Sequence, residues 1–406
     1  MKHVIWSLHS VDSIIDDVLA FLSCEYFPTK TVNIDEALHK YSAQEVYSNI
    51  SLPPYLKATM DGYAVISSDC EDASHENPVS LKVVNGRIRP WMKPNIEVKE
   101  GECVEIETGG FLPKNTDAVV RVEDTTREGN RVIIFRRISR YENVSIPGEE
   151  LKAEDRIISR GELVRPWHIA AFKLLDIEKL EVYDLSAHVI ATGDEFLHQM
   201  AKPYTIDLVS NWLIEHGFEK ITVSIVPDVT SEIASYVSRS NEKNLVTVVL
   251  GGSSVGKDDY SITAVSSLNP DIIIHGAAIK PGKTVCTAVL NGKLIVVMSG
   301  LPVAALSSLE QIVKPILSQW IGLKYLPRPK VKAILTRRIT TKSGVREFVR
   351  IRVFRRNGKL YAEPIMTGGS GSIGSLVLCN AWLITKEEIE GYEEGEEVEV
   401  ELIAPV

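Results

Sequence analysis

The sequence predicts a multidomain α/β protein, and three observations predict it. Between residues 185 and 321, near-continuous apolar strands alternate with helical patterns, the rhythm of a parallel sheet covered on both faces. Between residues 79 and 144, short alternating runs are broken by Gly, Pro and Asn, which reads as a small β domain. After Leu326-Pro327-Arg328-Pro329, strand-like alternation continues through about 80 residues, enough for one small antiparallel barrel or sandwich. A chain of 406 residues accommodates about two to four domains.

Composition narrows the function. Apolar content of 44% and charged content of 24% are ordinary for a globular protein. The net charge of −9 and the lack of any long basic run argue against nucleic acid; Arg136-Arg137 and Arg355-Arg356 are isolated pairs. No run of 18 apolar residues is present, so no membrane span is expected. Asp12, Asp16 and Asp17 interrupt any apolar signal core near the first residue. The five cysteines include no C-x-x-C pair and read as reduced core residues of a cytoplasmic protein. The nine histidines are scattered without H-E-x-x-H, so no zinc site is expected.

In chain order, residues 10–22 form an amphipathic helix that Ser10 can cap, and residues 34–41 look like a second helix. Pro53-Pro54 stiffens an extended segment that turns at Met60-Asp61-Gly62-Tyr63. Within the small β domain, Thr108-Gly109-Gly110 is a tight loop and residues 113–117 a turn. Residues 147–161 read as a connector, and Pro166 starts a helix. Strands are expected at 187–191, 221–226, 245–250, 271–274 and 293–298, with helices at 204–216, 230–240 and 303–320, the last kinked or shortened by Pro315. Strands at 331–335, 347–354, 360–364 and 396–403 follow, with 367–374 as a structured Gly-Ser loop.

In an open parallel sheet, ligands bind beyond the carboxyl ends of the strands. The alternation puts Thr192-Gly193-Asp194-Glu195, residues 251–259, Lys280-Pro281-Gly282-Lys283 and Ser299-Gly300-Leu301-Pro302 at such ends. Gly251, Gly252 and Gly256 open backbone donors to a ligand, although a glycine loop alone is as readily a strand-to-helix turn. Glu195 and Asp259 are hard oxygen ligands suited to Mg2+ beside a phosphate or pyrophosphate. Lys280 and Lys283 supply compact positive charge for an oxyanion. Neither the Walker pattern nor G-x-G-x-x-G occurs in these loops.

Taken together, these stretches resemble the molybdopterin molybdenumtransferase family of molybdenum cofactor biosynthesis, which includes the E domain of gephyrin. The motifs run in the family's order: Thr59-Met60-Asp61-Gly62-Tyr63-Ala64-Val65; Thr108-Gly109-Gly110 with Pro113, Asp117-Ala118-Val119-Val120 and Glu123; and Thr192-Gly193-Asp194-Glu195. They continue with Gly251-Gly252, Ser254-Val255-Gly256 and Asp259; Lys280-Pro281-Gly282-Lys283; Gly300-Leu301-Pro302; and Gly344, Arg346-Glu347-Phe348 and Arg350. The resemblance implies a homodimer with four domains per subunit. These are an N-terminal helical and mixed domain (1–50 and 145–184), an inserted β domain (51–144), a three-layer α/β molybdopterin-binding domain (185–326) and a C-terminal β-barrel (327–406).

The resemblance further implies adenylated molybdopterin as substrate, handed over from the molybdopterin adenylyltransferase. Mg2+ and molybdate or tungstate then promote release of AMP as the metal passes to the pterin dithiolene. Glu195 and Asp259 fall where the family holds the cation and pyrophosphate, and Asp61 and Thr108 where it contributes further active-site residues across the dimer. Lys280, Lys283 and Arg346 fall on the molybdate pocket. Thr192, Gly193, Asp194, Gly251, Gly252, Ser254, Gly256, Gly300, Pro302 and Arg350 complete the implied pterin and oxyanion contacts.

Four departures stand out. The family's G-L-P-G-N-P-V-S-A loop is here Gly300-Leu301-Pro302-Val303-Ala304-Ala305, without G-N-P or the serine. P-G-K-P ends in Thr284, residues 196–204 hold no D-S-N, and T-G-A is Thr108-Gly109-Gly110. An active transferase is one reading, and a non-catalytic pterin-binding or scaffolding paralogue is the other. A related adenylyltransferase step is disfavoured by the accompanying domains.

Overall fold

Six strands build the sheet that positions the candidate site: β1 Leu185–Thr192, β2 Phe218–Val226, β3 Val246–Leu250, β4 Ile272–His275, β5 Cys286–Leu290 and β6 Lys293–Met298. Their spatial order is 2-1-3-6-5-4, with β2, β1, β3 and β6 mutually parallel and β5 antiparallel to both its neighbours. The computed structural model describes residues 8–23, 27–251, 260–365 and 369–406. The chain divides into one unit of Met1–Gln44, Arg160–Ile169 and Glu178–Val406, and another of Glu45–Ser159 and Ala170–Ile177.

Alternate residues of the parallel strands enter different cores. Val189, Val248 and Val296 pack with Val209 and Leu213 of the Tyr204–Glu215 helix. Ile190, Val249 and Val297 pack with Ile233 and Val237 of the Thr230–Lys243 helix and Ile262 of Tyr260–Ser267. Burial on both faces explains the unbroken apolar runs and makes this part three-layered. β5 does not show in the strand-helix rhythm. It is joined to β6 by Asn291-Gly292, both at positive φ, which is a two-residue hairpin turn.

The Val11–Leu19 helix is capped by Ser10, whose Oγ accepts from Ser13 N–H at 3.2 Å, and its Val11, Ile14, Ile15 and Val18 join the first of these cores. The helix expected at 34–41 is a single turn, Ile34–Glu36. His39 takes a left-handed φ of 64°, and Tyr41 and Ser42 are drawn into bridges with Leu163 and Val182. The expected helix at 303–320 is one helical run, Pro302–Ser308 and Lys314–Ile321, joined by a π-turn at Leu309–Val313. A wider turn just before Pro315 accommodates the missing N–H and ring of the proline.

The C-terminal strands Arg346–Arg356, Lys359–Pro364, Lys330–Leu335, Glu397–Leu402 and Ala381–Ile384 pair in that order and close back on Arg346–Arg356. This closed barrel encloses Ala333, Leu335, Ile351, Val353, Ala362, Val398 and Val400. Ile279–Lys280 pairs in parallel with Arg346 and Glu347, so the chain leaving β4 attaches directly to the barrel. The strand Ala381–Ile384 and the short helix Ile373–Leu378 lie beyond what the sequence pattern showed; residues 366–368 of the expected Gly-Ser loop are outside the described residues.

The second unit holds a six-stranded sheet ordered Ala118–Arg121, Gly62–Val65, Glu102–Ile106, Val79–Ile88, Arg131–Ile134 and Thr125–Glu128. Gly62 is obligatory there, because a Cβ would lie 1.9 Å from Val120 O on the adjacent strand. The expected connector at 147–161 contains the strand Arg156–Ile158, paired with Val46–Tyr47. No described helix is long and apolar enough to cross a membrane.

Candidate functional site

In the order 2-1-3, the chain crosses over at β1 and β3, so their carboxyl ends splay and leave a crevice. Thr192 ends β1 and Gly251 follows β3. Gly251 has φ 103°, and a Cβ on it would lie 2.8 Å from Thr192 Oγ1 and 2.9 Å from Thr192 O. Its N–H donates to Met298 O at the end of β6, 3.0 Å away. Three strand ends are thus drawn together at a point where only glycine fits. Thr192, Glu195, Gly251 and Gly300 line a cavity of about 290 Å³ with Phe196 and Tyr204. Thr205 Oγ1 donates to Gly300 O at 2.6 Å, fixing one wall.

Glu195 sits on the short helix Asp194–Leu197, and its carboxylate folds back over Gly193, within 2.7 Å of where a Cβ would be. Asp228, just beyond β2, joins this acidic edge. Burial pushes the Asp228 carboxyl up, and the carboxylates of Glu195 and Asp194 push it further; the Thr192 hydroxyl and Asp194 N–H oppose them. Negative charge is therefore crowded here, with no cation paired to Asp228 among the described residues. Among the described residues, no three His, Cys, Asp or Glu side chains converge closely enough to hold a metal ion by themselves. The donor chemistry, all carboxylate oxygen, suits a hard cation that also takes ligands from a bound phosphate. Asp259, the second expected ligand, lies outside the described residues, as do Gly252, Ser254 and Gly256.

Two further cavities adjoin the same loops. Lys280, Lys283, Ser299 and Ser370 line one of about 540 Å³. Lys280, Glu347, Arg350 and Ser370 line one of about 420 Å³. Gly282, at φ 109°, presses on the Pro302–Ser308 helix: a Cβ would meet Ser308 Oγ at 2.9 Å and Ala304 O at 3.1 Å. Val303 N–H donates to Ser370 O at 3.0 Å, tying the helix start to the segment shared by both cavities. Lys280 Nζ pairs with Glu347 Oε1 at 2.9 Å. Arg350 is anchored by Ser375 Oγ at 3.3 Å and Phe348 O at 3.1 Å, and burial lowers its pKa.

Not every expected residue is brought in. Arg346 lines none of these three cavities; its guanidinium is held by Asp12 Oδ2 at 2.5 Å and Glu387 Oε1 at 2.9 Å. Pro302 is buried at the first turn of its helix, so the helix begins directly after Leu301, in keeping with the short loop. Asp61 and Thr108 belong to the other unit. There Asp61 Oδ1 accepts the Thr108 N–H at 2.7 Å, which holds the Asp61 carboxyl below its ordinary value.

Residues 9–175 match the MoeA N-terminal region (domains I and II), 188–319 a probable molybdopterin binding domain, and 332–403 the MoeA C-terminal region (domain IV). A putative molybdopterin biosynthesis protein of Methanocaldococcus jannaschii is 32% identical over 411 residues, covering 98% of each chain. The chain belongs to the MoeA family. A relative in Bacillus subtilis named molybdopterin molybdenumtransferase, a transferase by name, is 29% identical over 92% of this MoeA chain and 90% of its own. The crystal structure of a molybdopterin biosynthesis moeA protein from Pyrococcus horikoshii OT3 matches with a TM-score of 0.83 at 26% identity. That match covers 98% of this chain and 100% of the other.

Asp228 is the residue of the acidic edge that the sequence reading missed in this MoeA chain. The signal was available: the strand at 221–226 and the helix from Thr230 frame Pro227-Asp228-Val229 as one more loop at a strand's carboxyl end. Arg350 carried only a motif match in sequence, whereas the fold places it with Lys280 in the lining of one cavity.

Proposed function

We propose that this MoeA-family chain is a molybdopterin molybdenumtransferase of molybdenum cofactor biosynthesis, and that the crevice at β1 and β3 receives adenylated molybdopterin. The observation that carries this reading is the juxtaposition of an acidic edge with lysine-lined cavities along one loop system. Glu195, next to Asp194 and Asp228, lines one cavity with Gly300, and Lys280 and Lys283 line another with the adjacent Ser299. The acidic edge fits Mg2+, which when bound there would neutralise pyrophosphate charge as AMP departs. Glu195 would hold that cation, with Asp228 beside it and Asp259 as the second ligand expected from the sequence. Gly251 and Gly300 bring backbone close to the substrate phosphates, and Lys280, Lys283 and Arg350 supply positive charge for the incoming molybdate or tungstate. A homodimer, and delivery of substrate by a molybdopterin adenylyltransferase, belong to the same proposal.

The test mixes purified protein with adenylated molybdopterin, Mg2+ and either oxyanion, and follows AMP. Release that depends on Mg2+ and is lost in Glu195→Ala supports the reading. No release with either oxyanion, alongside an active relative, sinks it. That outcome would favour the non-catalytic paralogue, for which the short Gly300-Leu301-Pro302 loop is the supporting feature.

A further inference from the structure

The resemblance sets Arg346 beside Lys280 and Lys283 as a third cation for an oxyanion, but the fold uses Arg346 as a clip. Its N–H donates to Ala278 O at 2.8 Å, at the start of the parallel pairing between Ile279–Lys280 and the barrel. Its guanidinium joins Asp12 of the Val11–Leu19 helix to Glu387, in the turn after the barrel strand Ala381–Ile384. Turning that guanidinium toward an oxyanion would break both contacts. Meanwhile a lysine that no motif singled out, Lys342, lines the cavity of about 540 Å³ together with Lys280 and Lys283.

The loop that carries Lys342 is pinned on both sides of it. Thr341 N–H donates to Glu390 O at 3.0 Å, and Thr341 Oγ1 donates to Ile389 O at 2.6 Å. Gly344 N–H donates to Glu387 O at 2.7 Å. Thr341 is buried, and Gly344 takes a left-handed φ of 80°, which glycine adopts without steric cost. The backbone beside Lys342 is thus held at two points, and the chain is steered there by the same 387–390 segment that holds Arg346. The Lys342 side chain is exposed, and it has no ion-pair or hydrogen-bond partner among the described residues. The same is true of the Lys283 side chain.

The charge balance decides what this cavity can hold. Lys280 is paired with Glu347, which lines the adjoining cavity and not this one. Lys283 and Lys342 remain uncompensated, and no carboxylate is among the described lining residues. In a chain of net charge −9, two unpaired lysines in one concavity focus a local field that favours a dianion. Ser299 and Ser370, also in the lining, add hydroxyl groups. An ammonium is a compact charge that donates in three directions and demands no planar fork, so it suits a tetrahedral oxyanion. We propose that Lys342 is an oxyanion-binding residue of this cavity, holding a tetrahedral dianion with Lys283 in the role expected of Arg346. This rests on the transferase reading in one respect: the dianion is the molybdate or tungstate of the transfer step.

The full-length protein is titrated with molybdate and with tungstate by calorimetry, without pterin, at low and high salt. The wild type binds, and Lys342→Gln lowers the affinity about tenfold, the loss of one charged hydrogen bond. Lys342→Arg keeps most of the affinity. Wild-type binding weakens as salt is added, and Lys342→Gln flattens that dependence because one of the screened charges is gone. The melting temperature of Lys342→Gln is unchanged or slightly higher, since a like charge has been removed from beside Lys283. Arg346→Gln behaves in the opposite way: it lowers the melting temperature and leaves oxyanion affinity near wild type. With adenylated molybdopterin and Mg2+, Lys342→Gln raises the KM for molybdate and leaves kcat near wild type. Unchanged oxyanion affinity in Lys342→Gln, or no oxyanion binding by the wild type, overturns the assignment. So does a larger loss of affinity in Arg346→Gln than in Lys342→Gln, or a loss in Lys342→Gln matched by a fall in melting temperature, which would mark a structural lysine. Oxyanion binding that depends on Lys342, without any AMP release, overturns the transferase reading and leaves the assignment of Lys342 standing.

Discussion

Asp228 and Glu310 are carboxylates drawn out of water in the same unit, and the protein treats them oppositely. Glu310, on the π-turn and 7% exposed, receives both guanidinium nitrogens of Arg328 at 2.7 and 2.8 Å, the Trp212 indole N–H at 2.8 Å and Lys314 at 3.4 Å. Burial raises its carboxyl, but Arg328, Lys314 and Trp212 together win and bring it down to about 2. Asp228 is raised by burial and then by two more carboxylates, and nothing cationic among the described residues answers them. A compensated buried charge holds structure together, whereas crowded carboxylates without a partner cost stability. The first pins the linker before the barrel to the helix above the sheet, and the second lies beside Glu195, which lines the crevice cavity.

The contrast can be broken most severely at Arg328. Arg328→Ala leaves Glu310 buried with only Lys314 at 3.4 Å and the Trp212 indole to answer it, and is expected to cost about 3 kcal/mol in urea unfolding. The sign with pH follows from a depressed folded pKa. The pair's contribution is complete above the ordinary glutamate value of 4.5 and lost as pH falls through about 2, so Arg328→Ala should remove that acid dependence. A cost under about 1 kcal/mol would mean that Glu310 is not held by Arg328.

At the other carboxylate the effect moves from stability to chemistry. Glu195→Ala should reduce AMP release at least about tenfold while leaving the melting temperature unchanged or slightly higher, because it relieves repulsion on Asp228. Mg2+ at ten times its Kd should stabilise the wild type by about 1.4 kcal/mol near neutral pH. Asp228's folded pKa lies above the ordinary aspartate 3.8, so its contribution is present below 3.8 and lost as pH rises through the raised value. Mg2+ reverses that loss, so its effect on melting should fade as the pH is lowered through the raised value. An equal Mg2+ shift in Asp228→Asn would show that the cation binds elsewhere. The smallest effect belongs to an exposed pair. Lys332 and Glu397 meet at 3.5 Å on the barrel with most of both side chains in water, and Lys332→Ala should cost less than about 1 kcal/mol. A larger loss would show that pairing, not burial, sets the difference between the first two sites.

Legibility followed the range of the forces involved. The parallel strands and their covering helices were readable because two-faced burial writes continuous apolar runs into the chain, as at Val246–Leu250. The site edge was readable at Thr192, Glu195, Gly251 and Gly300, since strand ends at a crossover define a crevice by topology alone. β5 was missed although Asn291-Gly292 marks its hairpin, and Ala381–Ile384 because its partners lie in distant parts of the chain. The helix expected at 34–41 was lost to long-range bridges that outweighed local propensity.

By itself, then, the sequence determined the alternation that makes the three-layer unit, the glycine that must follow β3, and the residue types at the crevice. Local backbone sterics and the periodicity of burial are properties of neighbouring residues. Tertiary structure alone decided which charges meet. It gave Arg346 to Asp12 and Glu387, set Arg350 with Lys280 around one cavity, added Asp228 to the acidic edge, and locked Glu310 to Arg328. Charge compensation depends on distance and burial in space, and residues far apart in the chain carry no mark of it until the fold brings them together.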